Sequence, residues 1–164
     1  MSIPPGASAW SILSFLFRTD QGVIDRAMWW RSAIFLMGCL AMLTGIWMEV
    51  GKYAYEAQPA AERTALFDPA IFGAYAYLTF YGLCVMLIGV SFYNLSAKRC
   101  RARGRPPALA GLVPLFALLS GAAHWLYPRV TESMPYWTVV LTDVCLIAAI
   151  LWSIVDLGLL GDAQ

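Results

Sequence analysis

At 164 residues, 60% of them hydrophobic and only 13% charged, the chain is too apolar to hide its side chains in a core of its own. An ordinary soluble domain is about 45–50% apolar and about 25% charged, and a small domain leaves much of its surface exposed. The apolar excess is therefore expected to face a membrane, while a net charge of +1 excludes the polyelectrolyte character that would favour nucleic acid.

The first stretch, "MSIPPGASAWSILSFLFR", has no basic start, and Ser11 and Ser14 break its apolar run, so it does not read as a signal peptide. On a helix Ser11, Ser14 and Arg18 share one face, with Trp10, Leu13, Leu16 and Phe17 roughly opposite. That pattern suits a short helix lying in the membrane interface, or a partly ordered tail.

Four segments are long and apolar enough to span, at about residues 27–48, 70–95, 109–127 and 136–160. Prolines punctuate their starts. Asp68 with Pro69, and Ser133 with Pro135, offer a cap followed by proline. Pro106 and Pro107 open the third span, Pro128 closes it, and Pro114 is expected to kink it. Between the first two spans, "GKYAYEAQPAAERTALFDP" is long for a simple connection; after Pro59 it has room for one or two helical turns, with Leu66 and Phe67 turned to the membrane. The expected fold is a single all-α domain, an integral-membrane four-helix bundle.

Orientation follows from the distribution of Lys and Arg near span ends. With the segment 96–108 inside, Arg18, Arg26, Arg31, Lys98, Arg99, Arg101, Arg103 and Arg105 are cytoplasmic, and Lys52, Arg63 and Arg129 lie opposite. Both termini are then cytoplasmic, in a multi-pass protein of a bacterial inner membrane, and Cys100 becomes a reporter of sidedness. The cluster "AKRCRARGRPP" is first a topology signal. Its cations are also expected to meet anionic lipid headgroups, at about 1 kcal/mol per charge. No aromatic residue interleaves with them to stack on bases, which speaks against nucleic acid.

Together with "GVIDRAMWW" (residues 22–30), this cluster has a second meaning. The two stretches resemble the motifs G-R-[IL]-S-R-x-x-[FY]-W and A-[KR]-R-L-H-D-x-G-[RK]-S of the bacterial inner-membrane family called domain of unknown function 805, a likeness that covers roughly residues 15–127. Gly22, Ile24, Arg26 and Trp30 match the first motif, and Lys98, Arg99, Gly104 and Arg105 the second. Val23, Asp25, Arg101 and Ala102 depart from them. The resemblance implies a small helical membrane bundle. The departures at Arg101 and Ala102 remove the His-Asp pair that is the motif's best candidate for proton or metal chemistry.

Chemistry-bearing residues are few. Cys39, Cys84, Cys100 and Cys145 have no ligand spacing and read as buried thiols. His124 is the sole histidine, so two-His haem ligation and multi-His zinc sites are excluded within one chain. It reads as a hydrogen-bonded interfacial residue, or as a single axial ligand to a macrocycle. No HExxH, GxSxG, P-loop or GxGxxG occurs. No cofactor or metal is expected.

Asp143 lies about two turns inside the fourth span, where a carboxylate costs about 3 kcal/mol. His124 is its expected partner; Thr142, a tyrosine or water are alternatives, and ion or proton translocation is the functional option. Asp156, near the cytoplasmic end, is expected to pair with Arg99, leaving Arg103 and Arg105 for lipid or an acidic partner. Glu49 and Lys52 pair locally. Ala41 with Gly45, and Ala117 with Gly121, permit close helix approach. Trp29, Trp30, Trp47, Trp125, Tyr127, Tyr136 and Trp137 read as interfacial anchors. The expected function is a non-catalytic accessory or stabilising subunit of a larger inner-membrane assembly, with lipids and other membrane subunits as partners. The alternative is a small oligomeric transporter or ion- or proton-conducting protein that uses Asp143.

Overall fold

A computed structural model describes residues 9–55, 69–127 and 134–161. Helix α1 is Ala9–Phe17, α2 Arg26–Tyr55, α3 Pro69–Ala102, α4 Leu112–Leu126 and α5 Tyr136–Ser153. A 3-10 turn, Pro107–Gly111, leads into α4, and α5 continues as a π-helical turn, Ile154–Leu159. No strand occurs among the described residues. Arg26–Lys52, Ile71–Ala102, Pro107–Leu126 and Tyr136–Leu159 are long and apolar enough to cross a membrane. The expected all-α class with four spans holds.

The helices start and stop for local reasons. Asp25 precedes α2 and its Oδ1 accepts the Met28 amide at 2.7 Å, a side-chain N-cap. At the other end of α3 the Gly104 amide donates to the Arg101 carbonyl and the Arg105 amide to that of Cys100, the paired bonds of a Schellman turn. Gly104 has φ 64° and Gly22 φ 101°, the left-handed region that glycine enters without steric cost. Both glycines are therefore chain-reversal residues.

Three expectations change. The basic cluster is not a loop from residue 96, because α3 runs on to Ala102. At 34 residues it measures about 51 Å, well beyond a hydrocarbon layer of about 30 Å. Pro114 is the third residue of α4, where a missing N–H forfeits no bond within that helix, so it opens the helix instead of interrupting its middle. Trp29 is 2% exposed, a core residue and not an interfacial anchor. The segment after Pro59, the capping residues Asp68 and Ser133, and Pro128 lie outside the described residues.

The chain divides into two compact units, Met1–Ala33 with Val90–Gln164, and Ile34–Gly89. In the second, the Tyr77 hydroxyl donates to the Leu43 carbonyl at 2.8 Å, and the Thr44 and Tyr81 hydroxyls lie 3.1 Å apart. Trp47 stacks near-parallel on Tyr77 and Tyr81, with ring centroids 6.3 and 6.2 Å away. Trp47 is thus part of an aromatic stack. In the first unit, the largest fully buried side chains are Arg99 and Lys98, followed by Leu95 and Leu157. Charged and apolar side chains share the core at the end of α3, while large apolar side chains such as Leu118 and Ile147 remain exposed, as a lipid-facing surface requires.

Candidate functional site

Two clusters collect the polar residues of the first unit. The larger is built on the last turns of α3, where residues three and four apart share a face. Asn94, Lys98 and Arg101 form one such row, and all three serve the end of α1. Asn94 Nδ2 donates to the Phe17 carbonyl at 2.8 Å, and Lys98 Nζ to that of Leu16 at 2.9 Å and also to that of Thr19. Arg101 donates to the Asp20 carbonyl and to its carboxylate at 3.0 Å. Lys98 Nζ also lies 5.0 Å from the Phe15 ring centroid, within cation–π range.

Arg99 and Arg103, again four apart, serve the end of the fourth span. Arg99 Nε donates to the Leu157 carbonyl at 2.9 Å and its Nη2 to that of Leu160 at 3.1 Å. Arg103 donates to the Gly161 carbonyl. The start of α2 supplies the remainder: Trp30 Nε1 donates to the Gly158 carbonyl at 2.9 Å, and Arg26 Nη1 to that of Leu159 at 3.2 Å. Five consecutive carbonyls, from Leu157 to Gly161, thus each accept a side-chain N–H. The last carbonyls of a helix lack partners within it and carry the negative end of its dipole. Cationic donors satisfy both needs at once, so the cluster acts as a capping device for two helix ends. Trp29 Nε1 completes it with a bond of 3.4 Å to Ser96 Oγ.

Asp156 is 4% exposed and pairs with Arg103 at 3.2 Å and Arg105 at 3.6 Å. The expected division of labour is therefore reversed: Arg99 holds backbone carbonyls, and the outer pair meets the carboxylate. The reason is the turn at Gly104, which folds Arg105 back beside Arg103. Lipid contact by the whole cluster also fails on burial. Lys98 and Arg99 are 0% exposed and the Arg103 side chain only 12%, whereas Arg105 retains 53%. Cys100 is buried as well, while Cys39, Cys84 and Cys145 are half-buried; all four are free thiols. Asp162 lies outside the described residues.

The smaller cluster joins α4 to α5. Ser120 Oγ donates to Asp143 Oδ1 at 2.6 Å. His124 Nδ1 lies 3.1 Å from the Ser120 carbonyl; a carbonyl only accepts, so Nδ1 carries the proton. Nε2 faces Asp143 Oδ2 at 3.6 Å, too far for a direct hydrogen bond. His124 and Asp143 are thus neighbours as expected, but Ser120 is the direct partner of the carboxylate. Thr142 is not, since its hydroxyl donates to the Val139 carbonyl. Serine, histidine and aspartate here do not form a nucleophile relay. That chemistry needs the hydroxyl bonded to the imidazole, whereas this hydroxyl is bonded to the carboxylate. No group of three potential metal ligands occurs among the described residues.

Asn94, Ser96, Ser120 and Gly158 are the site residues that sequence reasoning missed. Ser120 had a legible signal, one helical turn before His124 and beside Gly121. Gly158 had none: a Cβ there would lie 2.8 Å from Trp30 Cζ2, a contact made only in the folded chain. Glu49 and Lys52 do pair, at 2.7 Å, on an exposed surface where such a bridge is worth little.

Four spans, an outward apolar surface and a polar core at one end of α3 define an integral membrane protein of the multi-pass, all-α class. No protein-family model, curated protein or solved structure matches the chain.

Proposed function

We propose that the protein is a non-catalytic accessory subunit that packs against and stabilises a larger assembly in a bacterial inner membrane, with both termini cytoplasmic. The observation that carries this reading is the Ser120–His124–Asp143 cluster. Asp143 lies about 10 Å along α5 from its start, at 1.5 Å per residue, yet its side chain is 38% exposed and that of His124 58%. A carboxylate left open to hydrocarbon is costly, and an apposed transmembrane helix with a polar side chain removes that cost. The cations at the end of α3 support the same reading, because they tie helix ends together and leave few free for chemistry. The likeness to domain of unknown function 805 belongs to this proposal. Arg26 and Trp30 of one motif and Arg99 of the other meet at one helix end, which is a reason for the two motifs to occur together.

A photo-crosslinker at Ile147, exposed one turn beyond Asp143, tests the idea in native membranes. A single adduct of defined mass with a different polypeptide, weakened by Asp143→Leu, is expected. Adducts only between copies of this chain favour the second reading, an oligomeric ion- or proton-conducting protein in which Asp143 faces water. That reading draws on the same part-open carboxylate, and no adduct of either kind would sink both.

A further inference from the structure

An open groove of about 860 Å³ lies between α1, the chain that follows it and α3. Its volume falls within the range of ligand sites, about 300–1,000 Å³. Trp10, Phe15 and Tyr93 give it aromatic walls, and Ser14, Arg18 and Gln21 supply hydrogen-bonding groups. Tyr93 stands on α3 just before its apolar run gives way to Lys98 and the arginines, so the groove spans the boundary between apolar and charged surface. The one carboxylate in its lining, Asp20, is already held by Arg101 at 3.0 Å. Arg18 is exposed and makes no ion pair among the described residues, so the groove presents net positive charge. Trp10, 69% exposed, extends the aromatic wall outward on α1.

We propose that this groove is a binding site for an anionic phospholipid, with the phosphate at Arg18 and the first part of an acyl chain against Trp10 and Tyr93. The proposal rests on the membrane-spanning character of the chain and not on the accessory-subunit reading. Charge complementarity selects the headgroup and the aromatic walls select an amphiphile over a bare anion. It also moves lipid recognition away from the arginines at the end of α3, each of which already holds a carboxylate or a backbone carbonyl, to a cation at the end of α1.

The test is native mass spectrometry of the full chain in detergent, with phosphatidylglycerol or phosphatidylcholine of identical acyl chains. Phosphatidylglycerol should be retained more strongly, and Arg18→Gln should lower its retention about fivefold, the effect of one surface cation at about 1 kcal/mol per charge. Arg31→Gln, an exposed cation outside the groove, should change nothing. Trp10→Ala should weaken both lipids alike, and it stands in for the arginine variant if Arg18→Gln lowers the thermal midpoint of lipid-free protein. Equal retention of the two lipids, or equal losses from Arg18→Gln and Arg31→Gln, would overturn the proposal. So would displacement of the lipid by millimolar inorganic phosphate, which would mark a free-anion site. A chain that selects phosphatidylglycerol through Arg18 but crosslinks to no partner would sink the accessory reading and leave this one standing.

Discussion

At the scale of single residues, burial separates cations that look alike in sequence. Arg99 has no exposed surface and gives N–H groups to two carbonyls, whereas Arg105 is half exposed and makes only a 3.6 Å pair. Hydrogen bonds from a charged donor are worth about 1.5–3 kcal/mol, and exposed pairs about 0–1. Arg99→Ala should therefore lower the thermal unfolding midpoint far more than Arg105→Ala, and similar losses would contradict this account of the end of α3. Gly158 is constrained by space, not charge. A methyl group there meets the Trp30 ring at 2.8 Å and Trp29 at 3.1 Å, so Gly158→Ala should cost about 1–3 kcal/mol through overpacking, read in the same melts. In the second cluster the 2.6 Å bond from Ser120 is shorter than the 3.6 Å approach of His124. A double-mutant cycle of Ser120→Ala with Asp143→Asn should show a coupling of about 1 kcal/mol or more, greater than that of His124→Asn with Asp143→Asn. The opposite ranking would make the imidazole the principal partner.

At the scale of elements, α3 is the organising helix of the first unit. One row, Asn94, Lys98 and Arg101, holds α1; another, Arg99 and Arg103, holds the end of the fourth span. Each row follows from helical spacing, but which helix end it meets does not. The π-helical turn at Ile154–Leu159 contributes too: its Leu160 amide bonds the Val155 carbonyl at 3.1 Å, and the carbonyls from Leu157 onward turn to side-chain donors. Because α1 is short and held largely through polar groups, its attachment should fail independently of the spans. Lys98→Met keeps much of the side chain's length and removes its N–H donors. Amide exchange across α1 should then rise sharply while exchange in the middle of α3 and α5 stays unchanged. Uniform loss of protection would mean that Lys98 supports the whole unit.

At the scale of the whole molecule, the proposed topology puts the cationic end of α3 on the cytoplasmic side. The expected reporter, Cys100, is buried and its thiol should resist reagents from either side in the native protein. Arg105, half exposed at the same end, is the better position. Arg105→Cys in a chain with the four native cysteines replaced should be labelled by an impermeant thiol reagent only after the cytoplasmic face is opened. Labelling in intact cells would invert the proposed orientation and place the proposed phospholipid groove in the other leaflet.

Span number, helical class and approximate span limits were legible in the amino-acid sequence. A run of about 20 apolar residues bounded by proline, glycine and charge has only one way to satisfy its backbone in hydrocarbon. The caps at Asp25 and Gly104, which were not among the expectations, are just as local, since each involves neighbours within five residues. The span limits also placed His124 near the same membrane face as Asp143. What only the tertiary structure decided is where each cation goes. From Lys98 to Arg105 the chain offers five cations within eight positions, and any of them is long enough to reach a carboxylate or a helix end. Burial, the turn at Gly104 and the widening of the last turn of the fourth span select among them. Those choices depend on carbonyls more than fifty residues away along the chain, which no local pattern announces.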